Sequence, residues 1–145
     1  MMDHAREDAT FATVTLPSRV DSVRRAAAFL VQAAKSMRVP LASDAGFELA
    51  LVEALNNAVK HGNADQPGAV IVCEIERADR CLTVRILDEG AGFDPQQLPR
   101  PDTSGLDIAS IPEGGYGLSI IQTVFPAVRT ISQAGRFGVE MSLTF

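Results

Sequence analysis

The sequence predicts an α+β two-layer sandwich: a mixed, mostly antiparallel sheet with helices gathered on one face and the other face left wet. Three observations predict it. The elements read strand, helix, helix, hairpin, long loop, helix, hairpin, an order that segregates helices from a sheet of neighbouring strands. The central hairpin alternates so that every large aliphatic falls on one side. The chain has 145 residues, about the size of one domain, so a single domain over residues 1–145 is expected.

Thr10 to Leu16 alternates Phe11, Val14 and Leu16 with smaller or polar residues until Pro17 stops it, the pattern of a short edge strand. Ser18 with Asp21 resembles a capping box, and Val20 to Met37 then places Val23, Ala27, Leu30, Val31 and Ala34 at helical spacing, ending before Pro40. Ser43 is an N-cap for a second helix from Asp44 to His61, with Asp44 and Glu48 near its positive end and Gly62 closing it.

Ala69 to Arg77 and Cys81 to Asp88 form two β-rich runs around a tight Ala78-Asp79 connection. Pairing Arg77 with Arg80 brings Ile75 opposite Leu82, Cys73 opposite Val84 and Ile71 opposite Ile86. Cys73 then faces inward and Cys81 outward with Glu74 and Glu76, so the thiols do not bridge within the hairpin. Asp88 keeps the inward parity of Leu82, Val84 and Ile86, and a carboxylate at the end of an apolar face requires a partner. From Phe93 to Gly114 periodicity vanishes among Pro95, Pro99, Gly105 and Pro112. Tyr116 to Phe125 reads as a short helix, and Ala127 to Gln133 and Phe137 to Phe145 as closing strands.

Composition excludes several classes. Hydrophobic residues at 46% and charged residues at 21% are ordinary globular usage, which fits neither a disordered chain nor a membrane bundle. Thirteen Lys and Arg against eighteen Asp and Glu give a net charge of -5, unfavourable for a nucleic-acid phosphate backbone. The amino terminus has no apolar stretch of secretory length and no run approaches the ~20 residues of a membrane span, so a cytoplasmic protein is expected. Two cysteines without a CxxC spacing are too few for a metal cage.

The chemistry-bearing residues fall in three segments. On the second helix Phe47, Leu51, Ala54 and Ala58 form an apolar stripe, and Glu53, Asn57 and Lys60 share a neighbouring one, presenting acid, amide and base together. In Asp88-Glu89-Gly90-Ala91-Gly92 two glycines let the backbone turn sharply and approach a flat ligand. Gly114-Gly115-Tyr116-Gly117-Leu118 opens a helix whose free N–H groups suit a phosphate. Neither GxxxxGK[ST] nor GxGxxG occurs, so this is no P-loop.

In this order and spacing, Glu53 to His61, Asp88 to Gly92 and Gly115 to Leu118 resemble the N, G1 and G2 boxes of the histidine-kinase-like (GHKL) ATPases. Within that superfamily the chain is similar to the anti-sigma-factor serine kinases, from the first strand to Phe145. The resemblance implies the Bergerat, or histidine-kinase-like ATPase, fold, with ATP and Mg²⁺ as cofactors. Asp88 would accept from the adenine amine, Asn57 would hold Mg²⁺, and Gly90, Gly92, Gly115, Gly117 and Leu118 would line the nucleotide. Lys60 and His61 would contact phosphates, although His61 lies nearer the apolar stripe and is equally placed to cap the core. Glu53 would be the general base toward a serine hydroxyl, and residues 93–114 the ATP lid. The implied partners are a sigma factor and an antagonist protein, with a homodimer as the assembly. A partner-sequestering module without phosphoryl transfer is the alternative. Two positions depart from the pattern: Tyr116 stands where many relatives carry Arg, leaving Lys60 or Arg100 to supply that charge, and Val139 follows Gly138 where Gly-Thr is frequent.

Overall fold

The computed structural model describes residues 10–62, 68–89 and 117–145. Nine segments follow in chain order: β1 (Phe11–Pro17), α1 (Val20–Ser36), α2 (Asp44–Asn57), a π turn (Ala58–Gly62), β2 (Val70–Ala78), β3 (Cys81–Asp88), α3 (Gly117–Val124), β4 (Ala127–Gln133) and β5 (Arg136–Thr144). The five strands form one sheet in the order β1-β2-β3-β5-β4. Among the described residues every pairing is antiparallel. The helix layer lies on one face, and Leu30, Phe47, Leu51, Leu55, Ile71, Ile75, Val84, Ile86 and Met141 make the core between them.

The hairpin register differs from the sequence expectation by two residues. The turn is Asp79-Arg80, so Ala78 faces Cys81, Ile75 faces Val84 and Cys73 faces Ile86. Asp79 sits at φ 56°, a left-handed conformation that Asp tolerates better than Ala, and the Arg77 Nε–H donates to its carbonyl at 2.9 Å. A shift of two preserves parity, which is why the aliphatic face survives the error. Cys73 is buried and Cys81 half-buried, both as free thiols. Burial pushes the Cys73 thiol up to about 12, keeping it protonated and inert.

The capping expectation for α1 also fails. Its N-cap is Arg19, with no side-chain cap bond, while Asp21 pairs with the Arg19 Nε at 3.3 Å. The Ser18 N–H is taken by the Ala69 carbonyl at 2.9 Å, carrying the β1–β2 ladder one step past Pro17, so Ser18 is held in the sheet rather than at the helix end. The other end of α1 closes in a Schellman motif: Val39 N–H to Ala34 O at 3.1 Å and Arg38 N–H to Lys35 O at 2.9 Å, with Arg38 at φ 61°. Lys35 then pairs with Asp44, joining the negative end of α1 to the positive end of α2. Ser43 caps α2 as expected, its Oγ accepting from the Gly46 N–H at 3.0 Å. No helix among the described residues is long and apolar enough to cross a membrane.

The wet face carries an ion-pair row instead of a core. Arg85 bonds Glu140 Oε2 through Nε at 2.9 Å, pairs with Glu76 through Nη2 and lies 3.6 Å from Glu74, while Arg129 Nε reaches Glu140 Oε1 at 2.7 Å. Burial by itself would raise the Glu140 carboxyl, but the hydrogen bonds from Arg129 and Arg85 outweigh it and hold the group below its ordinary range. The unfolded chain therefore binds this proton more tightly than the folded one. The resulting stability is complete above the ordinary carboxylate value of about 4.3 and drains as pH falls through the lower folded value. Glu140→Gln should lower stability at neutral pH by about 1 kcal/mol and flatten the acid limb, read as urea midpoints against pH. An unchanged acid limb would remove Glu140 from the acid response.

Candidate nucleotide site

The register brings one end of every strand into the same neighbourhood. Pro17 pairs with Val70, Asp88 with Phe137 and Gln133 with Arg136, so the C-terminal ends of β1, β3 and β4 meet the N-terminal ends of β2 and β5. α2 descends to this end, but not as one continuous α-helix to His61. The α-helix stops at Asn57 and the backbone widens into the π turn, which packs on β3 and β5. Such widenings are rare and recur at functional sites.

α3 arrives at the same place from the other side. The Phe125 ring just past its end lies 5.5 Å from Phe47 in the second turn of α2, and the two helices pack along each other. α3 therefore runs back along α2, and its start at Gly117 points toward the C-terminal half of α2. The aromatic pair itself contributes about 1 kcal/mol beyond its burial.

Glu53 and Asn57 are half-buried on α2 and Lys60 is exposed on the π turn. His61 lies in the π turn and Gly117 at the start of α3. Leu118, in the first turn of α3, is buried. Asp88 is 0% exposed at the last position of β3, on the helix-facing side, as its parity predicts. Glu89 turns away: its Oε1 accepts from the Val70 N–H at 3.0 Å and its Oε2 lies 3.7 Å from Arg136 Nη2, fixing where the chain leaves β3. Gly90, Gly92, Gly115, Tyr116, Arg100 and the 93–114 segment lie outside the described residues.

Two structural features escaped the sequence reading. Gly138 is packed so closely against β3 that a Cβ there would stand 1.9 Å from the Ile86 carbonyl oxygen. A glycine inside a strand pattern was the available signal. Phe137, beside it, is the register partner of Asp88, which no periodicity could reveal.

A fully buried carboxylate can only accept hydrogen bonds when ionised, and an exocyclic amine such as adenine's is one donor that would suit it. For a divalent cation the fit is narrower. No group of three His, Cys, Asp or Glu side chains converges among the described residues, so Asn57 would supply one hard oxygen and phosphate oxygens the rest.

The description "Histidine kinase-like ATPase domain" names the family whose pattern matches residues 16–143, nearly the whole described sheet and all its helices. The chain belongs to that family. Within it, the chain is 27% identical over 96 residues to the anti-sigma F factor of Clostridium acetobutylicum, covering 61% of each. It is 32% identical over 94 residues to the serine-protein kinase RsbW of Bacillus pumilus, covering 61% of this chain and 57% of that one. Against the RsbW of Listeria innocua it is 30% identical over 106 residues, covering 66% and 68%. The chain thus spans about three fifths of the length of the first two of these relatives. A crystal structure of the RsbU and RsbW domains of a Mycobacterium tuberculosis protein superposes with a TM-score of 0.62 at 18% identity, over 94% of this chain and 32% of that one. That likeness establishes the histidine-kinase-like ATPase fold.

Proposed function

We propose that this chain is an ATP-dependent protein-serine kinase that acts as an anti-sigma factor, phosphorylating a small antagonist protein in a partner-switching pair and working as a homodimer. The observation that carries the reading is Asp88, a carboxylate with no solvent exposure at the rim between β3 and the π turn, in a chain of the ATPase family. Relatives named anti-sigma factor and serine-protein kinase support the choice within that family.

In this reading the site works as follows. Asp88 accepts from the adenine amine and so selects adenine over guanine. Asn57 would hold Mg²⁺, which would supply positive charge against the phosphates. Lys60 and His61 on the π turn reach the phosphates, while Gly90, Gly92, Gly115 and Gly117 let backbone approach them. Leu118 closes the apolar side, and residues 93–114 form the lid. Glu53, one turn before Asn57, takes the proton of the attacking serine hydroxyl. The new bond joins that oxygen to the γ-phosphorus, and the bond from the γ-phosphorus to the β,γ-bridging oxygen breaks, leaving ADP.

Val139, buried and paired with Ile86, offers no hydroxyl at the position where the family resemblance leads to a Thr, and so favours the second reading, a module that sequesters its partner without transfer. Incubation with labelled ATP, Mg²⁺ and candidate antagonist proteins separates the two. Label on an antagonist serine is expected; calorimetric binding of ATP without any transfer would leave the sequestering module, and absence of ATP and ADP binding would end the nucleotide reading.

A further inference from the structure

On β5 the side chains facing the helices are Val139 and Met141, both buried, and Leu143, which packs against the same core. Alternation puts Phe137 on that side too. It is the Cα partner of Asp88 on β3 and of Ser132 on β4. Residues paired in this way carry their Cβ atoms about 4.5–5.5 Å apart.

The two partners are opposites. Asp88 is 0% exposed, whereas Phe137 is 38% exposed, one of four large hydrophobic residues so exposed among the described ones. The other three, Phe11, Val20 and Leu49, lie on β1, α1 and α2, away from this pair. Nor is the pair loosely held. Gly138 presses β5 onto β3 at the adjacent position, so the spacing between Asp88 and Phe137 is set by the sheet backbone. A buried acceptor beside an open aromatic surface is the arrangement that reads a flat heteroaromatic ring bearing an amine. The carboxylate takes the N–H and the phenyl ring covers apolar area that water otherwise wets.

We propose that Phe137 is a base-contacting residue, an aromatic wall against which the adenine held by Asp88 packs, so that it sets affinity for the nucleobase and not for the phosphates. The inference rests on the nucleotide reading above and adds to it a residue outside the three motif segments.

Calorimetry with ADP and with inorganic tripolyphosphate, each with Mg²⁺, tests it on the wild-type chain and on Phe137→Ala, Phe137→Tyr and Phe11→Ala. Removing a base-stacking ring is expected to weaken ADP about tenfold in Phe137→Ala. Phe137→Tyr, which keeps the ring, should stay within about twofold, tripolyphosphate binding should be unmoved in all variants, and Phe11→Ala should match wild type. Should Phe137→Ala melt well below wild type, Phe137→Leu provides the same comparison with its apolar bulk kept, and a loss of about threefold is expected. Wild-type binding of ADP with equal affinity in Phe137→Ala and Phe137→Leu would overturn this inference and leave the nucleotide site standing. A wild-type chain that binds no ADP would overturn both.

Discussion

Glu53→Gln is expected to cut phosphoryl transfer to an antagonist serine by at least about 100-fold while leaving the affinity for ATP and ADP within about twofold. The side chain is half-buried on α2, one helical turn before Asn57, so the amide occupies the same volume and the helix loses nothing in propensity or packing. What it loses is the ability to take a proton. A serine hydroxyl has little nucleophilicity until its proton is drawn off, and a positioned base contributes roughly 10²–10⁴ to such a step. Binding is spared because adenine recognition is assigned to Asp88 and metal contact to Asn57, neither of which changes. Single-turnover transfer and calorimetry on the same preparation separate the two effects. Normal transfer in Glu53→Gln would take the base role away from this residue, and a joint loss of transfer and nucleotide affinity would make Glu53 part of the binding site instead.

The sequence made the architecture legible because each element carries its own local signal. Ser43 before the Phe47, Leu51, Ala54 stripe marked the start of α2, and Leu82, Val84 and Ile86 marked both the face of β3 and the burial of Asp88. Parity is a robust property, since it survived a hairpin register off by two; register is not, because it depended on whether Ala78 or Asp79 entered the turn. The capping box at Ser18 failed for a related reason. A local helix signal competed with a long-range hydrogen bond to Ala69, and the sheet won. At the site, Glu53 and Asn57 were placed correctly on one helix, but the π turn that carries Lys60 and His61 has no sequence signature of its own. Phe137 was invisible for the deepest reason: its importance lies in facing Asp88, 49 residues earlier in the chain, and only the fold brings them together.

Gly138→Ala should be among the most destabilising single substitutions in the chain, lowering the unfolding free energy by about 3 kcal/mol, at the upper end of what overpacking costs. The obstacle is space and not conformation. A Cβ at this position would stand 1.9 Å from the Ile86 oxygen and 2.8 Å from both the Ile86 carbonyl carbon and the Leu87 Cα. All three are backbone atoms of the neighbouring strand, so no rotamer change relieves the clash and β3 and β5 must separate. The sheet they belong to is also strongly curled. The Gln133 amide on β4 reaches the Glu74 carboxylate on β2 at 3.2 Å with β3 and β5 between them. Three strand spacings in a flat sheet would hold those backbones roughly 14 Å apart, so the sheet must curl steeply for the side chains to meet. Forcing β5 away at Gly138 would move Phe137, one position away, relative to its partner Asp88, so any surviving folded protein should bind ADP more weakly as well. The same change at Gly46 supplies the contrast: a Cβ there meets only Ser43 side-chain atoms at 3.4 and 3.5 Å in the first turn of α2, where alanine favours the helix. Urea titrations should therefore find Gly46→Ala equal to or above wild type and Gly138→Ala far below it. Equal midpoints for the two variants would show that β3 and β5 can separate at little cost, and that the narrow gap at Gly138 does not position the site.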